Sequence, residues 1–347
     1  MNGKRREGKE YNYYNGKLIF EGEYYEEKRS GKGKGKEYNY NGKLIYEGQY
    51  LNGKRRKGKE YNINDKLIFE GEYLEGKRNG KGKEYNYNGK LIFEGEYANG
   101  KRRNGKEYNI RGNLIFEGNY LKENRSGKGK EYNNKGKLVF EGEFLNGKRI
   151  KGKEYNNNGK LIFEGEYLEG KRKKGKEYTD NTILLFEGEY LDGKKWNGKG
   201  KEFHCNNGNL VFEGYYLNGK RRQGKEYNIN GELIFEGEYI EENRSGKGKE
   251  YNYYNGKLIF IGEYLNGKRI KGKEYYNGKL IFEGEYLEGK RNGKGKEYNY
   301  YNGKLIFDGE YLNGEKWNGK GKIYNIDGEL LFEREHLNGE RIENKNF

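Results

Sequence analysis

A phrase close to Leu-Ile-Phe-Glu-Gly-Glu-Tyr recurs along the whole chain, and no other feature limits its folding so strongly. Its central aromatic falls at Phe20, Tyr46, Phe69, Phe93, Phe116, Phe140, Phe163, Phe186, Phe212, Phe235, Phe260, Phe282, Phe307 and Phe332, which is 14 copies. First and last lie 312 residues apart over 13 intervals, a mean period of 24, with individual spacings of 22 to 26. Self-similarity at a fixed short period predicts a quasi-one-dimensional array in which each unit packs mainly on its neighbours. The chain therefore reads as one elongated array over 1–347, with a partial repeat at 1–17 and a cap at 333–347.

Composition rules out the alternative of one large core. Leu, Ile, Val and Phe total 66 of 347 residues, against 36% charged residues, at the border where apolar surface no longer repays chain entropy. Yet 37 Tyr and 16 Phe are too many aromatics for a disordered chain, so the core has to be thin, local and aromatic. No apolar run approaches the ~20 residues of a membrane helix. The start, Met1-Asn2-Gly3-Lys4-Arg5-Arg6-Glu7, has no apolar segment behind it, so a cytoplasmic location is expected. Cys205 stands alone, which excludes an intramolecular disulfide framework.

A second phrase, Gly-Lys-Gly-Lys-Glu-Tyr-Asn, appears at Gly80 to Asn86 and Gly293 to Asn299, and 22 Asn-Gly dipeptides punctuate the chain. Asn-Gly accepts the positive φ of a type I′ turn, as expected at Asn15-Gly16, Asn52-Gly53 and Asn266-Gly267. Each unit thus reads as one β-hairpin, giving an all-β, open antiparallel sheet of about 14 hairpins and about 28 short strands. Side chains alternate along a strand, so Leu18, Phe20, Gly22 and Tyr24 share one face while Ile19, Glu21 and Glu23 share the other. Rings are expected to lie over glycines of adjacent strands, and Glu21 and Glu23 to meet Lys34 and Lys36 across the hairpin.

Phe-Glu-Gly-Glu-Tyr-Leu-Glu-Gly-Lys-Arg-Asn-Gly-Lys-Gly, at Phe69 to Gly82 and Phe282 to Gly295, resembles the MORN (membrane occupation and recognition nexus) repeat. Asn-Gly-Lys-Leu at Asn88 to Leu91 is similar to the variant found in antitoxin-like bacterial proteins. The resemblance implies an elongated, twisted antiparallel sheet, often a homodimer, that serves as a scaffold or associates with membranes.

The net charge of +16 raises the question of where the excess sits. Basic clusters recur at one turn of the repeat: Lys4-Arg5-Arg6, Lys54-Arg55-Arg56-Lys57, Lys77-Arg78, Lys101-Arg102-Arg103, Lys148-Arg149, Lys171-Arg172-Lys173-Lys174, Lys220-Arg221-Arg222, Lys268-Arg269 and Lys290-Arg291. At two strands per repeat they would recur about every 10 Å along one edge. Such a ridge suits an anionic phospholipid surface or an acidic protein partner; a plainer reading is that polar turns keep a many-edged sheet soluble. Lys194-Lys195-Trp196 and Lys316-Trp317 put both tryptophans of the chain in these tips, with Ile150 and Ile270 at the same place, as expected of a headgroup-contacting edge or of side chains folded back on a neighbouring turn. Nucleic acid is disfavoured, because 55 acidic residues repel phosphate.

Catalysis has no constellation to rest on. His204-Cys205 and the distant His336 supply too few ligands for zinc, whose sites need about three or four. Ser30, Ser126 and Ser245, all in Arg-Ser-Gly, read as turn residues without a base. The expected function is a non-enzymatic scaffold without cofactor or metal, cytoplasmic and peripheral at membranes. Two alternatives are an antitoxin-like regulator binding one partner through its aromatic face, and a self-assembling architectural protein.

Overall fold

The computed structural model describes residues 6–342, apart from the side chains of residues 32–34. Lys4, Arg5 and the end of the expected cap lie outside the described residues, as does the Lys34 side chain. The fold is all-β, with 30 strands and no helix among the described residues. It comprises two compact units, Met1–Ile183 and Leu184–Phe347. Within each, consecutive strands pair antiparallel as tandem hairpins of an open sheet.

Two kinds of turn alternate. After the first phrase, Asn52 (φ 48°) and Gly53 (φ 80°) form the two-residue left-handed turn expected there, and Asn266-Gly267 does the same. The turn after the second phrase is different, which corrects the expectation for Asn15-Gly16. Only the glycine is left-handed, as at Gly16 (φ 67°) and Gly89 (φ 77°). An asparagine earlier in the loop caps it: Asn86 Oδ1 accepts from the amides of Asn88 and Lys90 at 2.9 and 3.0 Å, an Asx turn. The shortest repeat, 22 residues from Phe260 to Phe282, confirms the distinction, because Asn277-Gly278 there adopts the two-residue form.

The core is a single layer. Inner strands of a unit pair with both neighbours so that phrase meets phrase: Phe69 lies opposite Glu60 and Glu84, and Gly71 opposite Gly58 and Gly82. Glycines therefore run in a row across the strands, and the rings lie over that row as expected. A Cβ on Gly82 would come within 2.4 Å of Phe69 Cζ, and one on Gly105 within 2.4 Å of the Glu94 carbonyl and 2.5 Å of Phe93 Cζ. Phe69 is fully buried and Tyr73 only 6% exposed, although no second layer covers them. Edge-to-face contacts link the rings within and between repeats, Phe69 to Tyr73 at 5.6 Å and to Tyr97 at 5.1 Å. Each such contact adds about 0.5–1.5 kcal/mol beyond area burial.

Two glycines separate ring cover from turn geometry. Gly105→Ala should cost about 3 kcal/mol, since the new methyl meets backbone and ring together. Gly100→Ala, at φ 83° with nothing within 4 Å, should cost about 1 kcal/mol through backbone strain alone. Native-state hydrogen exchange in strands Leu91–Ala98, Lys101–Tyr108 and Leu114–Leu121 reads the difference; equal losses would show that the glycine row is not held by the rings.

Candidate functional site

The first arginine of each fully described cluster does not stand at the crest of the expected ridge. Among the described residues the Lys-Arg clusters begin in the strand after the turn, as in Lys54–Tyr61, and their first arginine folds onto the aromatic face. Arg55 lies 4.3 Å above the Tyr46 ring centre, Arg102 4.5 Å above Phe93, Arg172 4.6 Å above Phe163 and Arg221 4.4 Å above Phe212. The guanidinium also grips the glutamate of the preceding repeat. Arg102 donates from Nε and Nη2 to Glu84 Oε2 at 3.0 and 2.7 Å, and Tyr97 OH donates to the same oxygen at 3.1 Å. Arg55 bonds Glu37 in the same way and reaches Glu60, while Arg221 bonds Glu202. Stacking and a charge-assisted pair thus clamp one repeat to the next.

Several lysines are also engaged. Lys54 pairs with Glu75 of the next turn, and Lys220 with Glu241. Exposed basic positions include those where the register slips by one residue. Tyr50 pairs with Arg55 and Gln49 with Lys57, which leaves Arg56 as a bulge; Arg103, Lys173 and Arg222 bulge likewise. These four are exposed, as are Lys57, Lys101, Lys171, Lys174 and Lys194. Arg222 reaches the Tyr239 carbonyl at 3.4 Å. Ile150 and Ile270 occupy the same bulge at 37% and 38% exposure. Trp196 and Trp317 bulge too, but they fold back onto the next turn: a Cβ on Gly339 would meet the Trp317 ring at 3.3 Å, and one on Gly219 would meet Trp196 at 3.8 Å. Lys195 and Lys316 stand where other repeats carry arginine, 5.6 and 5.2 Å from Phe186 and Phe307.

The opposite face carries the expected charge ladder. Lys36 lies 3.6 Å from Glu21, and Lys201 3.6 Å from Glu213. Second-phrase tyrosines close this ladder from one side, Tyr108 OH donating to Glu94 at 2.6 Å and Tyr155 OH to Glu141 at 2.6 Å. In the first unit this face holds an open trough of about 1200 Å³, floored by glycines from Gly71 to Gly152 and walled by alternating Glu and Lys. Ser126 and Ser245 correct the sequence reading, since both lie within strands, Asn124–Tyr132 and Asn243–Tyr251, and Ser245 is buried. Among the described residues no three His, Cys, Asp or Glu gather as a metal site.

A second set of aromatic and aliphatic side chains stands outside the sheet, where the sequence pattern alone does not place it. At the tips of the second-phrase turns, Tyr14 is 94%, Tyr87 84% and Ile110 72% exposed. The signal was present as Asn-Tyr-Asn-Gly and Asn-Ile-Arg-Gly, apolar residues inside loops that an Asx turn holds open.

No family model matches the chain, and no curated protein matches it. Among solved structures, a chain of the TcdB2–TccC3 crystal structure matches at 11% identity and a TM-score of 0.19, over 95% of this chain and 22% of that one. A chain of a Photorhabdus luminescens Tc holotoxin pore matches at 11% identity and a TM-score of 0.20, over 96% of this chain and 18% of that one. The chain thus spans about a fifth of the length of those it matches.

The strand tyrosines make stability depend on alkaline pH. Burial and the acceptor glutamate push Tyr108 up to about 12, and Tyr132 and Tyr155 likewise. Buried Tyr97 and Tyr120 are also raised, burial first and then the glutamate. A folded value above the unfolded one of about 10 means stabilisation that is complete below pH ~10 and lost as pH rises through ~12. Urea midpoints should therefore fall between pH 10 and 12, with tyrosinate absorbance rising together with loss of the β circular-dichroism signal. Tyrosinate forming fully while the sheet persists would contradict the assignment.

Proposed function

We propose that the chain is a non-enzymatic scaffold of MORN-type repeats, cytoplasmic and peripheral at membranes, that binds anionic phospholipid through the bulge positions beside the turns that follow its first phrase. One observation carries the reading: in the first unit Arg56, Arg103, Ile150 and Lys173 occupy equivalent, exposed bulges, while the neighbouring arginines are spent on holding repeats together. A basic side chain near an acidic leaflet contributes about 1 kcal/mol, and an isoleucine among them suits the headgroup boundary. An acidic protein partner would use the same residues. The antitoxin-like alternative loses its surface, because the rings of the aromatic face are buried beneath arginine and tyrosine.

Co-sedimentation with phosphatidylcholine vesicles, with and without phosphatidylserine, tests this. Binding is expected only to the anionic set, weakening as salt rises. Arg56→Glu with Arg103→Glu and Lys173→Glu should lower affinity by roughly 100-fold or more, at about 1 kcal/mol per position lost. Trp196→Ala with Trp317→Ala should leave it unchanged. No binding to acidic vesicles would leave an acidic protein partner as the reading to pursue.

A further inference from the structure

The turn tips of the opposite edge suggest a second and separate ligand. In the first unit five consecutive second-phrase turns present Tyr14, Tyr40, Ile63, Tyr87 and Ile110, each 68% exposed or more. The following turns present Asn134, Asn157 and Asp180 instead, so the apolar series is bounded. Cations accompany it. Lys17, Lys43, Lys66, Lys90 and Arg111 stand in these five turns against one acid, Asp65, which makes five minus one, or +4. Two of them bridge successive tips: Lys43 Nζ donates to the Ile63 carbonyl at 2.6 Å, and Lys90 Nζ to that of Ile110 at 3.0 Å.

Spacing selects the partner's conformation. Each repeat advances two strands, about 9.6 Å at ~4.8 Å per strand. A polyproline II helix repeats every three residues, about 9.3 Å. Over the four intervals the mismatch accumulates to about 1 Å. An α-helix read at every seventh residue advances about 10.5 Å and drifts by about 4 Å over the same distance. A β-strand returns to one face every two residues, about 6.7 Å, and finds no match. Tips of tyrosine and isoleucine with cations between them therefore fit an acidic polyproline II segment of about 13 residues.

We propose that the edge formed by Tyr14, Tyr40, Ile63, Tyr87 and Ile110 docks an acidic, proline-rich peptide in the polyproline II conformation. Aromatic-lined grooves recognise this preformed helix at low entropic cost. The second unit shows what closes such a groove. There Tyr276 and Tyr300, on successive turns, contact each other at 4.9 Å, and Lys279 lies 5.2 Å over the Tyr300 ring, so these two tips fill their own gap, while Tyr254, Tyr301 and Ile326 in that unit stay exposed. The site is independent of the phospholipid reading, since it uses the other turn of the repeat.

Fluorescence anisotropy on the full chain provides the test, with labelled (Pro-Pro-Glu)5 as probe and (Gly-Ser-Glu)5 and (Pro-Pro-Lys)5 for comparison. The first peptide should bind at least about tenfold more tightly than the other two. Tyr40→Ser with Tyr87→Ser should weaken it by about tenfold, with the circular-dichroism spectrum unchanged because both rings face solvent. Equal binding of the two acidic peptides, no binding of (Pro-Pro-Glu)5 up to about 1 mM, or full affinity in the double variant would each overturn the proposal. So would tyrosine-dependent binding of a 15-residue oligothymidylate in preference to the peptide.

Discussion

Everything in this sheet depends on how a single layer keeps phenylalanine dry. A sandwich buries its inner face against a second sheet about 10 Å away; here the cover is made from the repeat itself. Glycine beneath the ring removes the side chain that would hold it off the backbone, tyrosines from the same and the next repeat meet its edges, and arginine caps its face. Arginine suits the lid because its guanidinium is planar and weakly hydrated, so it can stack and still satisfy its donors on a carboxylate. The glutamate comes from the preceding repeat, so burying a ring and joining two repeats are one event. Stability then accumulates repeat by repeat, as in other linear arrays.

That economy explains a composition that looked too polar to fold. The 36% of charged residues are not spread over a surface around a core, because there is no separate core. One set of glutamates and arginines closes the aromatic face, a second set of glutamates and lysines lines the other, and lysines at both turns tie several repeats to the next, as Lys54 does to Glu75 and Lys43 to Ile63. Exposed pairs of this kind contribute little one at a time. Their value here is register: a slip of one residue would part the pairs Lys57–Glu72 and Lys59–Glu70, set glutamate opposite glycine and turn the rings to the other face.

Most of the fold was legible because two periods are written plainly, 24 residues for the repeat and two for the strand. The faces of Phe69, Gly71 and Tyr73 follow from alternation alone. The arginines, expected in the turns, lie in strands where alternation fails at one point. Counting back from Gly58, which shares the aromatic face, puts Arg56 on that face and Arg55 on the other. The bulge at Arg56 inserts one residue, so Arg55 arrives opposite Tyr50 and over Tyr46. No local signal marks the slip, since arginine, lysine, isoleucine and tryptophan all occupy it. The exposed tips are hidden for the converse reason: a tyrosine count does not separate core rings from loop rings, and Tyr14 and Tyr87 sit inside Asx-capped loops.

The two repeats that depart from the pattern show what the clamp requires. Where lysine replaces arginine, at Lys195 and Lys316, the cation stands farther from the ring than Arg291 does from Phe282, at 4.1 Å, or Arg172 from Phe163, at 4.6 Å. An ammonium is a compact, strongly hydrated charge and covers less of a phenyl face than a guanidinium does. In both repeats, and at no other bulge, the next residue is tryptophan, and its indole lies against the glycine of the following turn. The thinner cover above the ring is thus offset by indole packing at the edge, between the same pair of repeats. Two tryptophans beside lysines, which suggested a membrane anchor, are accounted for as substitutes for arginine in holding the array together.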